Sequence, residues 1–143
     1  TAMEINVTAI WHLSKLCAPY MKEAGSGNIV NIASILGLVG SAPIKQAHYC
    51  ASKGAVINLT RELGMQWARR GIRVNALCPG WFPSEMTQGM DDESSMNFMR
   101  ANSPLPCMGE LHELDGALLL LARDAASFMI GQHVVVDGGW TAR

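Results

Sequence analysis

The sequence predicts an α/β fold, a doubly wound parallel sheet with helices on its faces. Two observations predict it. Segments with helical spacing of apolar residues alternate along the chain with short apolar runs bounded by glycine or polar turns. Each run is only a few residues long and apolar almost throughout, as strands covered on both faces are. With 143 residues, 49% of them hydrophobic and 16% charged, the chain is expected to form one domain over residues 1–143.

The elements follow in order. In residues 5–21, Ile5, Ala9, Leu13, Leu16 and Tyr20 recur at threes and fours, which predicts an amphipathic helix. Residues 1–4 already read as helix without a capping sequence, so the chain is expected to continue upstream of Thr1. Gly25-Ser26-Gly27 ends the helix, and residues 28–33 form a buried strand with Ser34 just past its end. Gly37, Gly40 and Pro43 mark a loop. Residues 47–70 carry Ala51, Ala55, Val56, Leu59, Leu63 and Trp67 at helical spacing and close on basic residues and Gly71. Residues 72–77 are a second strand. Residues 79–108 mix Pro, Gly, acidic residues and methionines around a short helix at 92–101, a composition that predicts a flap over a site. Met86, Met90, Met96 and Met99 make that flap an adaptable apolar lid or simply packing. A helix at 110–123 and a strand at 132–136 complete the alternation, and ligands in such sheets bind at the C-terminal strand ends.

Several function classes are excluded. A net charge of −1 without a Lys/Arg run gives no footprint for nucleic acid or an anionic membrane. Cys17, Cys50, Cys78 and Cys107 are irregularly spaced and read as reduced. His112-Glu113 lacks the second histidine of a zinc-protease helix, Gly116 standing there, and His12, His48 and His133 have no ligand spacing, so no metal is expected. No apolar stretch is long enough to span a bilayer and no leader is evident, so a cytoplasmic location is expected.

Tyr49 and Lys53 stand four apart at the start of the long helix, one turn apart on one face. A phenol with the ordinary pKa of about 10 exchanges protons poorly at neutral pH unless a cation stabilises the phenolate. Lys53 is placed to be that cation.

With Asn6 in the first helix and Ser34 after the first strand, the ordered set resembles the short-chain dehydrogenase/reductase (SDR) family, whose tetrad is an Asn, a Ser and a Tyr-x-x-x-Lys pair. The matching segments are Asn6 in INVT, Ser34 in NIVNIASILG, Tyr49 and Lys53 in YCASKG, Pro79-Gly80 in RVNALCPGW, and VDGGW near the end. The resemblance spans essentially the whole chain and implies a Rossmann-type fold, hydride exchange between NAD or NADP and the carbonyl or secondary alcohol of a small molecule, and a homodimer or homotetramer. The substrate classes it implies are a 3-oxoacyl thioester, a keto-sugar acid or another secondary alcohol. It further implies Tyr49 as general acid/base, Ser34 as hydrogen-bond donor to substrate oxygen, Lys53 as phenolate stabiliser and ribose ligand, and Asn6 as support of a water relay. Pro79, Gly80, Phe82, Ser84 and Met86 would run along the nicotinamide, with Ser84 where the family's PGxxxTxM stretch has threonine.

The family's glycine-rich dinucleotide loop is absent from these residues, so the N-terminal βαβ units are expected to be missing from this chain, and with them the residue that separates NAD from NADP. The rival readings are a non-catalytic Rossmann-like fragment serving as an oligomerisation scaffold, and a lyase or epimerase using the same Tyr/Lys pair.

Overall fold

The computed structural model describes residues 1–142. A five-residue π-helical turn, Glu4–Thr8, runs directly into helix α1, Ala9–Ala24. Strand β1, Gly27–Ile32, follows, then a 3₁₀ turn at Ile35–Gly37 and the long helix α2, Ala47–Trp67. Strand β2 is Ile72–Pro79, α3 is Glu93–Asn102, α4 is Asp115–Ala122 and β3 is His133–Val136.

The three strands form one parallel sheet in the order β1-β2-β3. Gly27 through Ile32 pair with Ile72 through Leu77, and Ala76 through Pro79 pair with His133 through Val136. Parallel neighbours need crossovers, and the helices supply them: α2 links β1 to β2, and α3 and α4 link β2 to β3. The turn between α1 and β1 needs glycine at Gly25, whose φ is 67°, and Gly71, at φ 79°, closes in the same left-handed conformation the 3₁₀ turn Ala68–Arg70 that follows α2.

β2 is covered on both faces. On one, Ile72 and Val74 pack with Leu63 and Trp67 of α2 and Ala18 of α1, and further along Ala76 and Cys78 pack with Val56 and Ile57. Each large apolar side chain buried here contributes about 1.5–3 kcal/mol. On the other face, Arg73 donates to the carbonyls of Leu121, Arg123 and Ala126 at the end of α4, while Asn75 donates to Met129 O and accepts from Gln132 N. The Arg73 bonds to Leu121 O and Arg123 O satisfy carbonyls at the end of α4 that have no intrahelical partners. The doubly wound arrangement expected from the alternation is the one observed.

The apolar stripe of the first helix is oriented opposite to the amphipathic expectation. Ile5, Leu13, Leu16 and Tyr20 are 63–76% exposed. Ser14 and Ala18 are buried instead, with Trp11 and Met21 beside the core. Small residues at 14 and 18 let α1 approach the sheet closely, and that contact decides which face turns inward. The helix expected at 110–123 divides into a 3₁₀ turn, Leu111–Leu114, and the shorter α4. No helix of the described residues is long and apolar enough to cross a membrane.

Candidate active site

Ser34, Tyr49 and Lys53 line one cavity of about 360 Å³ at the C-terminal ends of β1 and β2. Ser34 follows β1 directly. Its extended backbone (φ −169°, ψ 155°) caps the 3₁₀ turn, and its Oγ accepts from Leu36 N at 3.1 Å. That acceptor role fixes the oxygen and leaves the hydroxyl proton free to be donated.

α2 places Tyr49 in its first turn and Lys53 one turn later, with Lys53 Nζ 5.7 Å from the centre of the Tyr49 ring. Nζ donates to Ile32 O at 2.9 Å, a carbonyl at the end of β1, which ties the helix to the strand that carries Ser34. Burial pushes the Lys53 ammonium below its ordinary pKa, against the opposing influence of Cys78. Burial likewise pushes the Cys78 thiol up, so this cysteine is a neutral hydrophobe beneath the site.

Asn6 stands in the π-helical turn and outside the cavity lining. Its Nδ2 donates to Ser52 Oγ at 3.0 Å, and Ser52 Oγ donates in turn to Tyr49 O at 2.8 Å. Asn6 therefore reaches the Tyr/Lys turn of α2 through Ser52. π-Helical turns recur at functional sites because the extra residue redirects a side chain.

Pro79, Gly80, Phe82, Ser84 and Met86 all line the cavity. A Cβ on Gly80 would lie 2.7 Å from Asp137 Cα, so the backbone path there requires glycine. Phe82 is buried against Gly109. Ser84 N donates to Thr87 Oγ1 at 2.7 Å, and Thr87 Oγ1 donates back toward Phe82 O at 3.0 Å. Thr87 was not singled out from the sequence, and neither were Gln46, Trp81, Leu111 and Leu114, which also line the cavity. Only Gln46 carried a signal, standing three residues before Tyr49. Met90 of the expected flap is in the lining, whereas Met99 is buried in the core. Among the described residues no group of three His, Cys, Asp or Glu side chains is close enough to hold a metal ion.

The chain is similar to several known proteins. The family model described as Enoyl-(Acyl carrier protein) reductase matches residues 1–141. The cis-4-hydroxycyclohexanecarboxylate dehydrogenase of Sinomonas cyclohexanicum is 40% identical over 140 residues, 98% of this chain and 55% of that protein. The crystal structure of a gluconate 5-dehydrogenase from Burkholderia cenocepacia, in complex with NADP and tartrate, superposes with a TM-score of 0.93 at 35% identity, covering 99% of this chain and 55% of that one. A 4-hydroxyisoleucine dehydrogenase complexed with NADH superposes with a TM-score of 0.92 at 34% identity, covering 99% and 58%. Both of these solved relatives hold a nicotinamide cofactor, NADP in one and NADH in the other. The chain belongs to the short-chain dehydrogenase/reductase family. It spans about half the length of the curated relatives it matches.

Proposed function

We propose that residues 1–143 form, as one unit, the catalytic part of an NAD(P)-dependent oxidoreductase acting on the carbonyl or secondary alcohol of a small molecule. The single observation that carries this reading is the convergence of Ser34, Tyr49 and Lys53 on one cavity from two different elements.

The residues present fit a nicotinamide. Gly80 admits no side chain, Pro79 to Ser84 supply a continuous wall, and Lys53 retains donors beyond the one given to Ile32 O. When bound, the nicotinamide supplies or accepts the hydride. In the reducing direction, negative charge develops on the substrate oxygen. Ser34 Oγ–H donates a hydrogen bond to it and Tyr49 transfers its proton, so that the charge never stands unmet. Lys53 stabilises the phenolate left behind and binds ribose hydroxyls. Asn6 braces the turn through Ser52 and supports a water relay that reprotonates Tyr49. In the oxidising direction the same groups act in reverse, Tyr49 as base.

The apolar side chains of Ile5, Leu13, Leu16 and Tyr20, all exposed on the first helix, support a homo-oligomer. Equilibrium sedimentation of the whole protein is expected to show a dimer or tetramer.

The test of the reaction is nicotinamide absorbance at a panel of ketones and alcohols with the whole protein, alongside Tyr49→Phe. Turnover is expected to fall at least about 10²-fold in the variant, the lower range for a lost general acid, while cofactor binding by fluorescence persists. Unchanged turnover in Tyr49→Phe would remove Tyr49 from the chemistry, and failure of the protein to bind either cofactor would favour the scaffold reading.

A further inference from the structure

Helix α2 uses one hydrogen-bonding device twice. Thr60, buried in the core, donates its hydroxyl proton to Val56 O at 2.8 Å and accepts from Asn31 Nδ2 of β1 at 2.9 Å. Ser52 repeats the pattern nearer the start of the helix, donating to Tyr49 O at 2.8 Å and accepting from Asn6 Nδ2 at 3.0 Å. Thr60 stands eight residues after Ser52, about 12 Å along the helix axis. The Ser52 copy lies inside the turn that joins Tyr49 to Lys53.

Ser52 is 0% exposed, so its surroundings are completed by this chain's own residues, and it stands outside the cavity lining. Its hydroxyl has one proton. With that proton given to Tyr49 O, the oxygen meets Asn6 only as an acceptor, so the Asn6 amide must present Nδ2 and turn Oδ1 to the other side. The two partners depend on Ser52 unequally. Tyr49 O also takes the helix's own bond from Lys53 N, whereas Asn6 Nδ2 has its bond from Ser52.

Apolar packing cannot replace this bond. Val7 and Ile10, on either side of the π-helical turn's end, pack against the cluster that contains Val56 and Ile57 of α2. Such contacts hold the two elements together without fixing how a neighbouring amide is rotated, because burial of apolar surface is non-directional. A hydrogen bond has a preferred line and a polarity.

We propose that Ser52 is a positioning residue for the reaction: its hydroxyl sets the orientation of the Asn6 amide against the turn that carries Tyr49 and Lys53, and it acts on turnover through Asn6. This deepens the oxidoreductase reading above and rests on it. Since Ser52 does not line the cavity, its removal bears on kcat and leaves KM and cofactor binding in place.

The test is a double-mutant cycle in the whole protein, with Ser52→Ala, Asn6→Ala and the pair, and Thr60→Val as the control for a lost buried hydroxyl on the same helix. The panel compound that turns over best serves as substrate, and NADH and NADPH binding is followed by fluorescence. Ser52→Ala is expected to lower kcat at least about tenfold, as displacement of a positioned group does, with KM and cofactor affinity unchanged. In the Asn6→Ala background the same substitution is expected to have no further effect on kcat. Thr60→Val is expected to lower the urea midpoint without lowering kcat. A Ser52→Ala effect that persists in full once Asn6 is alanine overturns the inference, and so does a fall in kcat in Thr60→Val as large as that in Ser52→Ala. The cycle is also read from urea midpoints, which need no substrate: the two single losses are expected to be non-additive, and strict additivity overturns the Ser52–Asn6 coupling. Absence of turnover together with no binding of either cofactor instead defeats the oxidoreductase reading, while non-additive midpoints would still stand for the pair.

Discussion

Replacing Gly37 by alanine tests whether the turn that carries Ser34 is set directly against the helix that carries Tyr49 and Lys53. A Cβ at Gly37 would lie 2.6 Å from Lys53 C, 2.7 Å from Lys53 O and 2.9 Å from Gly54 N. Ordinary contacts between such atoms are about 3.5–4.0 Å. All three atoms are backbone in the middle of a regular helix, so neither a rotamer change nor a local shift of α2 relieves the overlap. The 3₁₀ turn must back away by about 1 Å, and Ser34, its cap, moves with it. Overpacking of this kind costs about 1–3 kcal/mol in stability. A displacement near 1 Å at a reacting group lowers the rate about 10²-fold. The natural control is Gly54→Ala, whose Cβ would meet only Gly37 O, at 3.5 Å, an ordinary contact. Inside a helix that change stabilises by about 0.5–1 kcal/mol. The assay is kcat/KM together with thermal unfolding for both variants, with about 2–4 °C expected per kcal/mol in a protein of this size class. Gly37→Ala within threefold of the parent in kcat/KM and unchanged in melting temperature would refute the backbone contact as the element that positions Ser34.

Two further outcomes bear on stability. Thr60→Val removes the acceptor of the buried bond from Asn31 Nδ2, 2.9 Å long, while keeping the volume. The orphaned amide is expected to cost about 1–3 kcal/mol, read from the midpoint of urea unfolding. At Asp137, burial raises the carboxyl's pKa, but hydrogen bonds from Thr141, Gly139 and Trp140 outweigh it and hold the group below its ordinary 3.8. A depressed folded pKa means the unfolded chain takes up the proton first, so this stabilisation is present above pH 3.8 and is lost as pH falls through the lower folded value. Asp137→Asn is expected to be less stable at neutral pH and to lose part of its acid-side slope, followed by urea unfolding across pH 2–5. An unchanged slope would remove Asp137 from the acid limb.

Much of this molecule is determined locally, and that part is legible in the sequence. The three strands are short apolar runs between turns, α2 is a sustained helical period closed by Gly71, and the fourfold spacing of Tyr49 and Lys53 fixes their common face whatever surrounds them. Glycine at 71 is likewise dictated by the backbone, at φ 79°. What the sequence leaves open concerns partners. A period of 3.6 residues establishes that a helix has faces, without deciding which one meets the sheet, and in α1 the close approach at Ser14 and Ala18 overrides the larger residues at 13, 16 and 20. The bond from Asn6 to Ser52 spans 46 positions, and the cavity joins Gln46, Trp81, Thr87 and Leu114 from three separate segments. Such contacts have no local signature, because they exist only once parallel strands and their crossovers bring distant stretches of chain to one edge of the sheet.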